Sequence, residues 1–359
     1  MSSIGLVMGP TTVLHLAAAL RHREPQRHDW AGLTLLYLIG EPTVGERLLE
    51  VTRQVAGLLL PGCDLRIWHE PQDKNAQVID TLADRPSELW ISRPFFAPEM
   101  RLFLRLPQAT IRIYDEGIST YRPSLVSGPL TAAENLAQRP HASVPVNLLA
   151  RVASLHALVR DVPTPTWLAG IPRINVPAAG LQDAVAQIAA VMQPDLPPGW
   201  GKQPRTTLVI GTAFSLWRQL PWEVEARHYA DVLRHHLQDG APVLYVPHPR
   251  LLAPFEDSDH WADLAGAPGL TIWQPGNGLP VEILALAGQI GIGVSISSSA
   301  LLTLRDWFGI PVMLMGSEPI YAALAKQKHV VLLRKLLPTY LFPQPGADTT
   351  DQQTETQRS

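Results

Sequence analysis

Short apolar runs that stop at glycine, proline or hydroxyl residues recur along the chain, with stretches of helical composition between them. Ile4–Met8 ends in Gly9-Pro10-Thr11-Thr12 and is followed by Val13–Leu20. This reads as a strand, a tight turn and a helix opened by a threonine cap. Leu33–Ile39 is a second strand, Glu46–Leu60 a helix, and Asp64–His69 a third strand. Val78–Leu82 reads as a short helix and Glu88–Ser92 as a fourth strand. Ala109–Tyr114 is a fifth, ending in Asp115-Glu116-Gly117. Strands alternating with helices imply a parallel sheet covered on both faces.

Residues 125–165 read as helical cover with a long loop. Leu181–Met192 is an amphipathic helix, and the proline- and glycine-rich stretch after it has the composition of a linker. The pattern then restarts: strand Thr207–Ile210, turn Gly211-Thr212, helix Trp222–Leu237, strand Val243–Val246 and strand Leu270–Trp273. A helix from Pro280 to Ala287 leads to strand Gly291–Ile296, the serines 297–299, helix Ala300–Phe308 and strand Val312–Met315. The expected organisation is two Rossmann-like α/β domains at 1–195 and 206–343, a linker at 196–205 and a disordered tail at 344–359.

Composition narrows the function classes. The 359 residues are 46% hydrophobic, enough for two buried sheets. A formal net charge of -3 supplies no basic footprint, so no nucleic-acid partner is expected. Cys63 is the single cysteine, which rules out an intramolecular disulfide and a cysteine-cluster metal site and points to a reducing compartment. With no signal-peptide pattern and no spanning run, a cytoplasmic location is expected. The basic residues around Val330–Leu333 in Lys326–Lys335 allow peripheral contact with anionic lipid, or a solvated helix face or a strand with basic flanks.

Candidate chemistry sits at strand ends, where ligands bind in open α/β sheets. His248 follows Val243–Val246 between Pro247 and Pro249, a stiff setting for an acid, a base or an anion ligand. Asp115 and Glu116 stand beside Gly117, where a carboxylate can serve as general base or simply end a turn. Ser297, Ser298 and Ser299 precede a helix, a place for a phosphate, although one of them is needed as the cap. Glu282 lies in the first turn of the preceding helix, there for the dipole or for ribose hydroxyls. Gly9, Thr11 and Thr12 form a comparable turn on the first domain.

Asp115-Glu116-Gly117, His248-Pro249, Pro280-Val281-Glu282-Ile283-Leu284 and Ser297-Ser298-Ser299, in this order, resemble the motifs of bacterial sialyltransferases and polysialyltransferases, close in character to glycosyltransferase family 52. Gly9-Pro10-Thr11-Thr12 is similar to the turn that opens those enzymes. The resemblance spans roughly residues 5–315 and implies a GT-B fold and inverting transfer from a CMP-activated sialic acid or related nonulosonate to a glycan hydroxyl. It implies no cofactor and no metal. It gives Asp115 the role of base and His248 that of the acid at the leaving phosphate. Ser298 and Ser299 would hold that phosphate, with Ser297 beside them, Glu282 the ribose, and Gly211-Thr212 would line the donor pocket. Either acid of Asp115-Glu116 fits the base position, and CMP-Kdo fits the same motifs as a donor. Two readings from other classes are a silent nucleotide- or glycan-binding protein and a hydrolase using Asp115, His248 and a serine of 297–299. The hydrolase lacks the strained Gly-x-Ser-x-Gly turn.

Overall fold

The computed structural model describes residues 2–114, 178–192 and 205–342 apart from short gaps, together with Leu196, Pro197 and Trp200. The gaps are 40–41, 70–71, 74–75, 83–84, 93–96, 107, 217, 249–257, 265 and 274–279. Asp115, Glu116, Pro249, most of the expected linker and the expected tail therefore lie outside the described residues.

Two all-parallel sheets organise the chain. The first contains β1 (Ser3–Val7), β2 (Leu33–Ile39), β3 (Asp64–His69), β4 (Glu88–Ile91) and β5 (Thr110–Ile113) in the order β3-β2-β1-β4-β5. Helices α1 (Pro10–Arg23), α2 (Pro42–Leu59) and α3 (Ala97–Arg105) and, between β3 and β4, a 3₁₀ helix at Gln77–Thr81 lie in the connections. Side chains alternate between two cores: Val7, Leu35 and Tyr37 pack with α1 and α2, whereas Ile4, Leu6, Leu36 and Ile91 pack with Leu102 of α3. Burial on both faces is why β1 and β2 read as nearly continuous apolar runs, whereas the edge strand β3 carries Asp64, Arg66 and His69.

The second sheet has the order β11-β10-β9-β6-β7-β8, from β6 (Thr206–Ile210), β7 (Val243–Val246), β8 (Leu270–Ile272), β9 (Ile290–Ser295), β10 (Val312–Gly316) and β11 (Thr339–Leu341). Val209, Tyr245 and Val294 face α5 (Trp222–Gln238), and Leu208, Leu244 and Leu314 face α6 (Ala300–Phe308). Two α/β sheets wound in this way are the GT-B-like architecture that the motifs imply. Between the sheets in sequence lies α4 (Ala178–Met192). Its buried Ala184, Val185 and Ile188 share a core with α1, α2 and Ile283, and Gln182 Nε2 donates to the Trp307 carbonyl of α6.

Several local expectations change. The threonine cap of α1 is replaced by Gly9 at the N-cap and Pro10 inside the first turn, since proline needs no amide partner there. Residues 281–287 form a 3₁₀ helix, held to seven residues between Pro280 and the left-handed Gly288. The basic segment near the C-terminus is α8 (Lys328–Leu336), preceded by α7 (Glu318–Ala323). Val330 and Leu333 of α8 are buried in the protein's own cores, and Arg334 lies over the Tyr321 ring. No helix among the described residues is long and apolar enough to cross a membrane.

Candidate active site at the strand ends of the second sheet

Strand order locates the crevice. β7 and β8 lie on one side of β6 and β9 to β11 on the other, so connections leaving β6 and β9 diverge and open a gap at their carboxyl ends. Gly211 and Thr212 leave β6 into that gap, and Ser297–Ser299 leave β9. His248 leaves β7, the other neighbour of β6.

Gly211 makes the close approach possible. Its amide donates to the Val246 carbonyl at 2.8 Å. A Cβ at this position would stand 2.9 Å from the His248 amide nitrogen, 2.9 Å from the Tyr245 hydroxyl and 3.1 Å from Pro247 Cα. Only glycine lets the β6 turn lie on the backbone that carries His248. The imidazole-bearing residue itself is half-buried.

Thr212 is buried, and its hydroxyl is turned into the protein. It donates to Glu225 Oε1 at 2.5 Å and accepts from the Tyr229 hydroxyl at 3.0 Å. Glu225, in the first turns of α5, is fully buried and also accepts from the amides of Phe214 at 3.1 Å and Ser215 at 2.7 Å. Burial, with Glu225 adding its negative charge, pushes the Tyr229 hydroxyl well above the usual tyrosine range, and Tyr245 moves the same way. Both phenols stay neutral. A buried polar layer of Thr212, Glu225, Tyr229 and Tyr245 thus underlies the crevice.

The three serines differ. Ser297 is buried, its amide donates to Ser295 Oγ at 3.3 Å, and its own hydroxyl has no partner among the described residues. Ser298 Oγ accepts from the Ala300 amide at 3.3 Å and so caps α6. Ser299 is exposed at the N-cap position without a side-chain cap bond. Ser298 accepts at the helix start through its oxygen, so its O–H, with the other hydroxyls and the helix-start amides, can still donate to an anion.

The remaining predicted residues are placed elsewhere. Glu282 stands near the start of the 3₁₀ helix with its carboxylate fully buried; burial holds it above its usual range, offset in part by its own amide and by the charge of His15 on α1. His15 in turn packs against Trp307 of α6 with ring centroids 5.0 Å apart, so Glu282 belongs to the seam between the two halves. Gly9, Thr11 and Thr12 leave β1 on the first sheet, with Thr12 buried and Thr11 half-buried. Asp115 lies outside the described residues; before it, Tyr114 is fixed at the end of β5, its hydroxyl donating to the Leu6 carbonyl at 3.0 Å and its amide to the Ile91 carbonyl at 3.0 Å.

Sequence reasoning missed Glu225. Glu223 and Glu225 both look like first-turn acids, and only burial separates them, since the Glu223 side chain is 66% exposed. Among the described residues the group with metal-ligand character is His235, His236 and Asp239, at the other end of α5 from Glu225.

Comparison with known proteins bears on the whole chain. The family description alpha-2,8-polysialyltransferase matches residues 69–317. A search of the curated proteins gave no match. Among solved structures, a UDP-GlcNAc 2-epimerase from Methanocaldococcus jannaschii in complex with UDP-GlcNAc and UDP aligns with TM-score 0.52 and 10% identity, over 94% of this chain and 93% of that one. A putative UDP-N-acetylglucosamine 2-epimerase from Listeria monocytogenes aligns with TM-score 0.50 and 13% identity, over 94% and 87%. E. coli heptosyltransferase WaaC with ADP gives 0.44 and 10%, over 89% and 88%. At these identities the likeness to the first two concerns the fold, two sheets aligned along nearly the full chain. The family match is of another kind, because it runs from the end of β3 to the end of β10 and includes every motif from Asp115 to Ser299. The chain belongs to the alpha-2,8-polysialyltransferase family and is a glycosyltransferase.

Proposed function

We propose that the chain transfers a sialic acid or related nonulosonate from a CMP-activated donor to a hydroxyl of a glycan acceptor, with inversion. The observation that carries this reading is that Gly211 and His248, in close approach, and the serine run follow the adjacent strands β6, β7 and β9 at the switch point of the second sheet, in a chain of this family. Asp115 takes the proton of the acceptor hydroxyl as its oxygen attacks the anomeric carbon. The bond from that carbon to the CMP phosphate breaks, the electron pair leaves on the phosphate oxygen, and His248 donates a proton or hydrogen bond to it. Attack from the face opposite the leaving group inverts the configuration. Ser298, Ser299 and the amides at the start of α6 stabilise the phosphate as charge develops, which lowers the barrier more than it tightens ground-state binding. In this reading these groups, rather than a resident metal, carry the charge stabilisation. Glu282 holds the ribose, which requires the seam against His15 to open around its buried carboxylate.

The test is CMP release from CMP-sialic acid and from CMP-Kdo with a panel of glycan acceptors, for wild type, Asp115→Ala and His248→Ala. Wild-type turnover with one of the donors, reduced at least about 10²-fold in both variants, is expected. Unimpaired turnover in both variants overturns the roles, and turnover on CMP-Kdo alone moves the donor to that sugar.

A further inference from the structure

We infer that Glu225 is a positioning residue of the donor site: its carboxylate is the template on which the loop from Thr212 to Ser215 takes shape, and through Gly211 that loop fixes the backbone of His248. This rests on the donor reading above for the name of the ligand, and on geometry alone for the clamp.

A fully buried carboxylate is tolerated only when donors surround it. Glu225 takes its donors from one loop: Thr212 Oγ1 and the Phe214 amide on Oε1, and the Ser215 amide on Oε2. One helical turn further along α5, the Tyr229 hydroxyl reaches Thr212 Oγ1 at 3.0 Å and the Ile210 carbonyl at 3.3 Å, a second pin at the root of the same loop. The pinned root is Gly211, whose missing Cβ would collide with the His248 amide nitrogen and Pro247 Cα. Displacement of the loop is therefore displacement of the wall on which His248 rests.

Two more polar atoms of this connection, Ser215 Oγ and Gln219 Oε1, are buried and find no partner among the described residues. The connection thus holds hydrogen-bonding capacity that the described protein does not use, as expected of a segment shaped for a ligand. A loop needed only for stability gains little from an anionic template, because apolar packing of the same volume serves as well or better.

Replacing Glu225 by glutamine keeps the volume and removes the charge, but sets an amide NH₂ against a backbone N–H or the Thr212 hydroxyl. The donor KM of Glu225→Gln is expected to rise about tenfold or more while the acceptor KM stays within about twofold, because a misplacement of about 1 Å at a reacting group is costly. A merely structural role would lower the melting temperature and the active fraction without separating the two KM values. Thr212→Val removes one donor to the clamp and should shift the donor KM in the same direction by a smaller factor; it also carries the test if Glu225→Gln fails to fold. Glu99→Gln, the same change at a buried carboxylate of α3 that accepts from the Ser92 amide, should cost stability and leave the donor KM in place. Calorimetric titration with CMP, UMP and ADP separates the two proposals. If wild type takes a nucleotide other than CMP, the CMP reading fails, while a tenfold weaker Kd for that nucleotide in Glu225→Gln still supports the clamp. An unchanged donor KM and nucleotide Kd in both Glu225→Gln and Thr212→Val overturns it.

Discussion

The carboxyl edges of the two sheets are built from the same parts with different tolerances. On each, the first strand ends near a glycine and runs into a helix, and a fully buried glutamate from the early turns of a helix accepts from a strand-end loop. On the first sheet Glu99 accepts from the Ser92 amide at 2.9 Å and from the Ser92 hydroxyl at 3.1 Å. On the second, Glu225 gathers donors spread from Thr212 to Ser215. The glycines differ in the same sense. Among the described residues a Cβ on Gly9 would meet only Leu48 Cδ1, at 4.0 Å, whereas one on Gly211 would meet backbone of the neighbouring strand end at 2.9 Å. The first edge leaves space at its turn. The second is closed against itself, which fits the role proposed above for it in holding a phosphate.

The sharpest way to break this contrast is to add one methyl group to each edge. Gly211→Ala should lower turnover on the order of 10²-fold, through displacement of the His248 backbone, and cost about 1–3 kcal/mol by overpacking. Gly9→Ala should cost at most about 1 kcal/mol, because Gly9 has extended backbone that alanine adopts and, among the described residues, a Cβ there would come no nearer than 4.0 Å to Leu48 Cδ1. Steady-state kinetics and urea denaturation of both variants decide the matter. Equal losses would mean that the two turns are equally constrained.

Much of this was legible in the sequence, and the exceptions have causes. β2 and β7 have the bounds the sequence predicts because each is an apolar run between turn residues, and α6 does because it starts after a serine run and stops at Gly309. β11 was not read: it is three residues long, lies at a sheet edge, and exposes Tyr340 and Leu341, so no apolar run announces it. The start of α1 was misplaced because Thr11 and Thr12 look like caps, while Gly9 and Pro10 had already begun the helix. His248 and the serines stand out as candidates in the sequence because they follow strands directly. Glu225 does not, since its role comes from burial against a loop ten or more residues earlier, and nothing in its immediate neighbours marks it.

The second half also carries a titratable group in its core, which gives a measurable pH signature. His228 on α5 is buried against the Met315 carbonyl, with Nε2 3.0 Å away, and burial lowers its pKa from 6.5 to about 4. Between these values the unfolded chain binds a proton that the native state refuses. Stability therefore falls as pH drops from about 6.5 to about 4, by on the order of 3 kcal/mol, and this contribution is flat outside that window. Glu282 acts in the opposite sense: its raised pKa makes folding less favourable as pH rises above the ordinary carboxylate value. His228→Gln keeps a donor for Met315, removes the histidine titration and leaves Glu282 in place. The difference between wild-type and variant unfolding free energies across pH 7 to 4 should show the His228 window; parallel curves would mean that the ring is not held neutral by the core.

The smallest effect tests the polar layer beneath the crevice directly. Tyr37 and Tyr245 are both fully buried strand tyrosines, one in each sheet. The Tyr37 hydroxyl donates to the Gly45 carbonyl at 2.7 Å, so Tyr37→Phe should cost about 1 kcal/mol and leave a carbonyl without that donor. The Tyr245 hydroxyl has no partner among the described residues, and it lies 2.9 Å from where a Gly211 Cβ would be. Removing it should be neutral or slightly stabilising in the unliganded protein, because an unsatisfied buried hydroxyl is itself a cost. Thermal denaturation with and without CMP then gives the sign that matters. If Tyr245→Phe is neutral alone but reduces the stabilisation by CMP, the hydroxyl is held unpaired for the bound state. If neither changes, the polar layer under Gly211 is a packing feature of the fold, and the clamp on Thr212–Ser215 works without it.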